Sequence, residues 1–376
     1  MTGLFGRMLE RTRKQPSSYD FAIIGAGIAG VSAAAALAPF GRVVVLEAEE
    51  HMAYHASGRS AAMYLAGYGN QIIQSMTGAS GDHLHFANGG VLRKRGLLLL
   101  GQAGEEERFA RAAAQGGLTR VSVEDASVYF PILDPAKVTM AAFRPDAYDI
   151  DTHQLMQNYT NIARADKAEF RLSTRVLGLT RTTEGWQIDL PQGQLKATII
   201  VNAAGAWADQ IAELAGLAPI RLIPCRRSVV RIPAPGGAFT RHWPFVDTPD
   251  ERWYAKPDAG HLLVSPGDEE PSAPSDAYPD EMVLAEGLAR YEDMVTEPVT
   301  RVLNNWAGLR TFARDRSPVI GFDPQDGGFF WLAGQGGYGF QTAPAASDLV
   351  ADLIIGRNSS LPSQVVRALS PDRLKD

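Results

Sequence analysis

A glycine-rich turn between an apolar strand and a helix is the feature that most constrains this 376-residue chain. Residues 21–24 form an apolar run, and Gly25, Gly27 and Gly30 follow as G-x-G-x-x-G. An alanine-rich segment then opens a helix, and a second apolar run ends at Glu47. The first glycine permits a tight turn, the second lets the backbone approach a pyrophosphate, and the third lets helix and strand pack closely. The helix N-terminus offers free N–H groups to phosphate, and Glu47 can bind a ribose hydroxyl. The segment therefore predicts a βαβ unit that binds a dinucleotide.

Composition and charge exclude several other classes of protein. The chain is 45% hydrophobic and 21% charged, which is typical of a globular protein, and its length suggests two or three domains. Its formal net charge of −6 predicts no basic surface for nucleic acid. Cys225 is the only cysteine, so no intrachain disulfide can form and a reducing compartment is favoured. No apolar stretch approaches the roughly 20 residues needed to cross a bilayer. We therefore expect a cytoplasmic protein without a transmembrane segment.

The N-terminal residues 1–18 are basic. They include Arg7, Arg11, Arg13 and Lys14 but lack the continuous apolar run of a secretory signal. One interpretation, which we favour, is a basic tail without a fixed structure. The other is a contact with a membrane surface or a partner, because apolar residues accompany the charges.

Several segments predict an antiparallel sheet. Residues 91–100, 226–232, 253–257 and 262–264 have the composition of strands, and the last two flank Asp258-Ala259-Gly260, a hairpin signal. Such a sheet cannot belong to the parallel layer that binds the nucleotide, so we expect a second domain. The acidic, proline-containing residues 268–281 indicate an exposed loop rather than a cluster of catalytic acids.

Nucleotide-binding features recur far from the N-terminus. Residues 198–202 form an apolar strand that ends at Ala203-Ala204-Gly205, and residues 329–333 form another, followed by a glycine-rich turn at 334–339 and a helix from about 342 to 355. A chain that leaves for a second domain and returns twice to the nucleotide layer fits the long molecule FAD better than a nicotinamide nucleotide. Cys225 lies far in sequence from these turns, so the FAD is expected to be non-covalent.

Six segments of the chain carry recognisable motifs. In chain order they are residues 20–50, 55–62, 201–207, 254–260, 306–310 and 335–339. Together they resemble the D-amino-acid oxidase-like family of FAD flavoproteins, and most closely its D-arginine dehydrogenase members, over nearly the whole chain. The resemblance implies an α/β fold with a Rossmann-like FAD-binding domain of the glutathione-reductase type and an α+β substrate domain built on an antiparallel sheet. The expected FAD domain comprises residues 19–83, 146–222 and 306–373, and the substrate domain comprises 84–145 and 223–305.

The resemblance also implies which residues bind FAD. Residues 57–62 are expected to wrap the pyrophosphate and flavin, Val176 to meet the adenine side through its backbone, and residues 336–341 to face the flavin pyrimidine and ribityl chain. The full expected set is Gly25, Gly27, Ile28, Gly30, Glu47, Ala48, Ser57, Gly58, Arg59, Ser60, Ala61, Ala62, Val176, Ala204, Gly205, Trp207, Gly336, Gly337, Tyr338, Gly339 and Gln341.

By the same resemblance the reaction is oxidation of a D-amino acid by hydride transfer from Cα to flavin N5, which requires neither a nucleophile nor a metal. Arg310 is the expected carboxylate clamp, because a planar guanidinium forks onto a carboxylate in two hydrogen bonds. Tyr254 would donate a further hydrogen bond, Arg227 would close the site from the same sheet, and Tyr68 would cover the substrate. A purely structural role remains open for each: an ion pair for Arg310, a core aromatic for Tyr254, an outward orientation for Arg227 and a surface aromatic for Tyr68.

The chain departs from D-arginine dehydrogenase where the substrate side chain should lie. Leu97 takes the position of a glutamate that pairs with the cationic substrate, and Met63 takes that of a histidine near the flavin. Asp247, near Phe245, either restores a carboxylate or is only a turn residue before Thr248, the interpretation we favour. We therefore expect apolar amino acids to be preferred over D-arginine, because a cation facing Leu97 would lack a charge partner.

Other functions remain open. The chain could oxidise a secondary amine, an N-methyl amino acid or a 2-hydroxy acid, although a hydroxy acid would need a base that Met63 does not supply. It could also be a non-catalytic flavoprotein that acts in assembly. A quinone, an electron carrier and oxygen all remain possible electron acceptors.

Overall fold

The structure is a computed structural model that describes residues 18–374. The predicted basic tail, residues 1–18, lies outside the described residues apart from Ser18. The strands are β1 (Ser18–Ile24), β2 (Val43–Leu46), β3 (Met63–Tyr64), β4 (Leu92–Lys94), β5 (Leu97–Gln102), β6 (Thr119–Val121), β7 (Val138–Arg144), β8 (Tyr148–Ile150), β9 (Glu169–Arg171), β10 (Gly178–Thr182), β11 (Gly185–Leu190), β12 (Gly193–Asn202), β13 (Ile223–Ile232), β14 (Phe245–Asp247), β15 (Tyr254–Asp258), β16 (His261–Ser265), β17 (Glu270–Pro271), β18 (Asn304–Phe312), β19 (Val319–Phe322) and β20 (Phe329–Ala333). The helices are α1 (Ile28–Leu37), α2 (Gln71–Phe86), α3 (Glu106–Gly116), α4 (Val123–Tyr129), α5 (Thr152–Ala165), α6 (Ala208–Leu214), α7 (Glu281–Glu292), α8 (Gly339–Ile355) and α9 (Ser363–Leu369).

The first sheet is built on the predicted βαβ unit. β1 lies between β2 and β12 and is parallel to both, and β20 is parallel to the end of β12. All residues of β2 and β20 are buried, as expected of strands in a sheet that is covered on both faces. On one face of the sheet, α1 packs against α5 and α8. β10 and β11 extend the sheet in antiparallel pairing. The glycine-rich turns after β1, β12 and β20 therefore meet at the carboxyl edge of this sheet, which is where such sheets bind ligands.

The second sheet is mostly antiparallel, and the predicted fold class is confirmed. Its order is β17-β13-β16-β15-β14-β5-β7-β6, with β18 paired along the opposite edge of β13. A core that includes Phe130, Trp243, Trp253 and Tyr291 packs beneath this sheet and beside α4 and α7. The predicted hairpin joins β15 to β16, and both of its turn residues, Ala259-Gly260, have positive φ (47° and 83°), which suits the twist of a two-residue hairpin.

Three details of the prediction were wrong. The strand expected over residues 91–100 is broken at Arg95-Gly96, where both N–H groups donate to the Ala147 carbonyl, so β4 and β5 belong to different sheets. Residues 306–312, assigned to the FAD domain, lie in β18, which pairs with β13 from Ile223↔Phe312 to Arg231↔Asn304. The boundary at residue 83 falls inside α2, which continues to Phe86. The other predicted domain boundaries remain predictions.

Candidate active site

A cavity between the two sheets begins at the glycine turn after β1. Gly25 has φ +104°, and a Cβ there would lie 2.6 Å from the Ala203 carbonyl oxygen. A Cβ at Gly30 would lie 1.9 Å from the Gly25 carbonyl oxygen, and one at Gly27 would lie 3.1 Å from Ser57 Oγ. The turn therefore depends on glycine at these positions, where a side chain would crowd its neighbours. It leaves the N-terminus of α1 facing the cavity.

Most of the predicted FAD residues line this cavity. They are Gly25, Gly27, Ile28, Glu47, Ala48, Ser57, Arg59, Ser60, Ala61, Ala62, Val176, Ala204, Gly205, Trp207, Gly336, Gly337 and Gly339. Gly30, Gly58, Tyr338 and Gln341 are not among the lining residues. Gly58 permits a tight turn against the Ala53 carbonyl, and Gln341 accepts a hydrogen bond from the Leu65 N–H at 3.1 Å. These four support the wall rather than form it, and their direct contact with FAD remains a prediction.

Glu47 and Ser57 organise the start of α1. The Glu47 carboxylate accepts hydrogen bonds from Ala26 N–H (2.7 Å) and Glu49 N–H (3.0 Å), and Ser57 Oγ accepts one from Ile28 N–H (3.0 Å). A carboxylate has about four acceptor sites, so Glu47 can also accept from a ribose hydroxyl. Both side chains thus fix the loops around the cavity and still offer oxygens to it.

Buried polar atoms without partners show where a polar ligand fits. Gln335 and Thr311 line the cavity, and their Nε2 and Oγ1 atoms have no hydrogen-bond partner among residues 18–374; the same holds for Gln341 Nε2. An unpaired buried polar group costs about 1–3 kcal/mol, so such groups suit a ligand that carries both donors and acceptors. The polar pyrimidine edge and ribityl chain of FAD have this character. The residues present therefore fit FAD.

Arg59 lies on the cavity wall but directs its guanidinium elsewhere. The segment that carries it, residues 51–59, forms a series of turns. The guanidinium donates hydrogen bonds to the backbone carbonyls of Ala277 and Ala307 and pairs with Asp276, all in the second domain. A role for the Arg59 side chain in binding FAD remains a prediction.

Two arginines lie side by side on neighbouring strands at the far end of the cavity. In the β13–β18 ladder, Arg227 is opposite Gly308 and Arg310 is opposite Cys225, so both side chains leave the sheet on the same face. Arg226 points away and pairs with Asp268 and Glu270, which settles which arginine faces inward.

The glycine turn after β20 holds Arg310 in place. A Cβ at Gly337 would lie 3.1 Å from Arg310 Cζ, and the Gly336 N–H donates a hydrogen bond to the Thr311 carbonyl at 2.8 Å. The strand that carries the arginine is thus bonded directly to a turn on the cofactor side. This contact fixes the distance between the expected flavin site and the guanidinium.

Two tyrosines complete this end of the cavity. Arg310 Nη1 donates a hydrogen bond to the Tyr68 hydroxyl at 3.3 Å, and the Tyr68 ring packs edge-on against Tyr338. Tyr254 is buried, with its ring 5.9 Å from Arg227 Cζ and 5.3 Å from the ring of Phe245. The structure therefore brings Arg310, Arg227, Tyr68 and Tyr254 together, and their roles in binding substrate remain predictions.

Sequence reasoning missed Glu251. Its Oε2 lies 2.8 Å from Arg227 Nη1 and 3.6 Å from Arg310 Nη1. It ends a short 3₁₀ turn, Pro249–Glu251, in which Asp250 and Glu251 both have positive φ, an uncommon conformation for such residues. The one available signal was an acid three residues before the Tyr254 motif, which by itself has no predictive value.

The charges in this cluster follow from burial and proximity. Burial opposes ionisation of Glu251, but the charges of Arg310 and Arg227 outweigh it and hold the Glu251 pKa below its usual range. Burial raises the pKa of Asp247 well above its usual range, and the negative charge of Glu251 adds to this effect. Burial likewise keeps Tyr68 protonated by raising its pKa. At neutral pH two guanidinium groups therefore face Glu251, while Glu269, 3.6 Å from Arg227 Nη2, is shared with Arg316, which leaves positive charge available for a further carboxylate.

The wall beside the arginines is largely apolar. Met63 and Phe245 line it, whereas Leu97 lies behind Phe245 in the same apolar cluster and does not reach the cavity. Asp247 lines the cavity as well, and its carboxylate also accepts a hydrogen bond from the Thr248 N–H at 2.8 Å, as a turn residue would, so its role towards the substrate remains a prediction. With Glu251, this region contains two acids, not the single one that we had expected.

Comparison with known proteins agrees with this site. A family model described as FAD dependent oxidoreductase (DAO) matches residues 20–353. The chain belongs to the DAO family of FAD-dependent oxidoreductases. The family's cofactor is FAD, as the sequence predicted. A special closeness to D-arginine dehydrogenase within the DAO family is not shown.

Several similar proteins are amine or amino acid oxidoreductases by name. The chain is 25% identical over 370 residues to mitochondrial dimethylglycine dehydrogenase of Rattus norvegicus; the match covers 89% of this chain and only 42% of that protein. L-proline dehydrogenase from P. horikoshii has the same fold, with a TM-score of 0.81 and 23% identity over 95% of this chain and 98% of that one. Glycine oxidase from Geobacillus kaustophilus gives a TM-score of 0.79 and 23% identity over 94% and 98% of the two chains.

The structure also bears on membrane insertion. Within residues 18–374, the helices are all too short or too polar to cross a bilayer.

Proposed function

We propose that this protein catalyses FAD-dependent oxidation of an amine that carries a carboxylate: an α-amino acid, expected to be the D enantiomer, or its N-alkyl counterpart, with a small or apolar side chain. The observation that carries the proposal is the pair of inward arginines, Arg310 and Arg227, at the end of the cavity where the flavin turns meet the second sheet. Bound FAD supplies the hydride acceptor for the bond between Cα and hydrogen. The protein's contribution is to orient the substrate.

Glu251 supports the assignment of the arginines to a carboxylate. A carboxylate oxygen at 2.8 Å from Arg227 Nη1 shows that the cluster accepts this group with good hydrogen-bond geometry. Since Glu251 compensates only one of two positive charges, a substrate carboxylate can bind the remaining guanidinium N–H groups of Arg310. The Tyr68 hydroxyl, 3.3 Å from Arg310, lies where it can bond the same carboxylate.

Met63 and Phe245 support the preference for apolar substrates. They form the wall next to the arginines, and each substrate CH₂ group buried against them would contribute about 0.8 kcal/mol to binding. Burial raises the pKa of Asp247 well above its usual range, which favours a neutral hydrogen-bonding group over a charge at this position. A cationic side chain would therefore meet no free anion here, since Glu251 is already paired with Arg227.

A 2-hydroxy acid is a weaker candidate. Its oxidation needs a base for the hydroxyl proton, and His55, the histidine among the described residues that line the cavity, bonds to Glu49 at 3.0 Å and packs on Trp207 at the other end. An amine needs no such base once it is unprotonated. The names of the similar proteins, which concern dimethylglycine, proline and glycine, favour an amine as well.

Anaerobic reduction of the bound flavin tests the proposal. The purified protein should lose its visible flavin absorbance when mixed, without oxygen, with D-alanine, D-valine or an N-methyl amino acid, and much more slowly with D-arginine or D-lactate. Each D-amino acid should be paired with its L enantiomer as a control. Reduction by D-lactate and by none of the amines would overturn the proposal in favour of a hydroxy acid, and no reduction by any of them would indicate a non-catalytic protein.

A further inference from the structure

Residues 268–281, which we call the acidic strap, run from the second sheet across to the cofactor side of the cavity. Ser275 and Ala277 of the strap line the cavity opposite the turns at residues 51–59. We propose that Arg59 is a positioning residue that clasps this strap over the bound FAD, and that its side chain is not a ligand of the FAD pyrophosphate. The proposal rests on FAD binding and does not depend on the substrate.

The hydrogen bonds of Arg59 carry the proposal. Its Nη1 donates to the carbonyls of Ala307 (2.8 Å) and Ala277 (3.1 Å), its Nε donates to the Tyr54 carbonyl (3.3 Å), and its Nη2 pairs with Asp276. A guanidinium has five N–H groups, and these contacts use four of them. Too few remain for a two-pronged contact with a phosphate. The side chain is therefore committed to the strap and to β18.

Asp276 is the strap's side of this contact. The hydrogen bond from Arg59 lowers the pKa of Asp276, and the Tyr54 hydroxyl donates a second, longer hydrogen bond to it at 3.4 Å. Arg59 is 16% exposed and Asp276 is 37% exposed, so the pair is partly shielded from solvent. It is the kind of ion pair that fixes a segment in one position.

The other end of the strap is anchored independently. The buried carboxylate of Asp268 accepts hydrogen bonds from the Ser228 N–H (2.6 Å) and the Ser228 hydroxyl (2.8 Å), while Glu269 pairs with both Nη atoms of Arg316. Breaking the Arg59 contact would therefore release the part of the strap near Asp276 while its first residues stay in place. The strap is held at Asp268 and again where Asp280 caps α7, and the position of its middle part, near Asp276, depends on Arg59.

Arg59 also links the cofactor wall to the strand that holds the substrate. Its backbone carbonyl accepts a hydrogen bond from Trp306 Nε1 at 3.1 Å, and its side chain bonds Ala307, three residues before Arg310 on β18. The turns that surround FAD and the strand that carries Arg310 are thus tied at one residue. Loss of Arg59 should loosen FAD retention and should also alter the alignment of substrate with flavin.

The experiment compares the FAD release rates of two variants of the FAD-loaded protein. We expect Arg59→Met and Asp276→Ala each to speed release by about tenfold, the effect of losing one charged hydrogen-bonded contact. The double variant should release FAD no faster than the faster single variant, because both remove the same contact. Arg373→Met and Asp315→Ala provide a matched control: Arg373 pairs with Asp315 and bonds the carbonyls of Ser317, Leu369 and Ser370, but none of these residues lines the cavity.

A second measurement separates the clasp from a direct FAD contact. At saturating FAD, limited proteolysis should cut the strap faster in both Arg59→Met and Asp276→Ala than in the parent or the Arg373 control. If Arg59 instead binds the pyrophosphate, Arg59→Met alone will release FAD faster and Asp276→Ala will behave like the parent, which overturns the proposal. Unchanged release in both variants overturns it too. If Arg59→Met does not fold, Asp276→Ala decides between the two outcomes.

Discussion

Glu251 Oε2 lies 2.8 Å from Arg227 Nη1, so a side chain of the protein already occupies part of the carboxylate-binding cluster. The relationship arises from an unusual turn. Glu251 has φ +51°, and its carbonyl oxygen lies so close to Gly267 that a Cβ there would be 1.6 Å from it. Gly267 therefore permits the turn that points Glu251 at the arginines. The charge balance of the site depends on this one acid, and the first prediction follows from it.

Glu251→Gln should strengthen the binding of small carboxylates. Removing the negative charge leaves Arg227 and Arg310 with no charged partner in the cluster, apart from Glu269 at 3.6 Å from Arg227 and shared with Arg316. We expect the dissociation constant of acetate, measured by perturbation of the flavin absorbance, to fall by about tenfold, or roughly 1.4 kcal/mol. Glu270→Gln, at an exposed acid that pairs with the outward Arg226, is the control and should change nothing. Weaker acetate binding in Glu251→Gln would contradict the assigned role of the arginines.

Arg310→Lys should impair catalysis and spare the cofactor. Lysine keeps the positive charge but loses the fork that holds a carboxylate in two hydrogen bonds. We expect kcat/KM for the best amine substrate to fall by about tenfold to a thousandfold, at roughly 1.4 kcal/mol for each factor of ten, with unchanged FAD content. The matched control is Arg226→Lys, because Arg226 lies on β13 but faces away from the cavity. Normal kinetics in Arg310→Lys would mean that the carboxylate is held elsewhere.

Asp247→Asn should change how stability depends on pH. The pKa of Asp247 is raised in the folded protein, so between its unfolded pKa of about 3.9 and its folded pKa the native state binds more protons than the unfolded state. The protonated Asp247 side chain therefore stabilises the native state. Its contribution to the free energy of unfolding is complete below the unfolded pKa and is lost as pH rises through the folded pKa.

An asparagine side chain at position 247 cannot titrate, so the stability of this variant relative to the parent should increase as pH rises from about 4 towards 7, by at most about 1.4 kcal/mol per pH unit. Denaturant unfolding of both proteins at a series of pH values measures this difference in the free energy of unfolding. A constant difference between the two proteins across this range would show that Asp247 is ionised in the native state.

The FAD should be non-covalent. Cys225, the only cysteine, is buried in a cluster with Ile73, Phe312 and Tyr338 and is not among the residues that line the cavity. Acid precipitation should therefore leave the flavin in the supernatant. Yellow colour that stays with the pellet would show attachment through another residue.

The parts of the fold that sequence could predict are those coded by short segments. The βαβ unit, the β15–β16 hairpin and the β20–α8 turn each have strand, turn and helix signals within about 30 residues. The direction of Asp247 could not be predicted, because it depends on the pairing of β14 in parallel with the distant strand β5. Glu251 could not be predicted either, because its turn requires close contact with Gly267 from another element. Leu97 was placed correctly on a strand, but it lies beside Phe245 of the neighbouring strand in one apolar cluster and is not among the residues that line the cavity.

The cluster that binds the carboxylate and the wall that meets the side chain come from different elements. Arg227 and Arg310 belong to the paired strands β13 and β18, whereas Met63 and Phe245 belong to β3 and β14, which do not pair with either of them. Substitutions at Met63 or Phe245 can therefore accumulate without moving the arginines. Enzymes that descend from this one can therefore change their amine substrate through single mutations, and every intermediate still binds the substrate carboxylate.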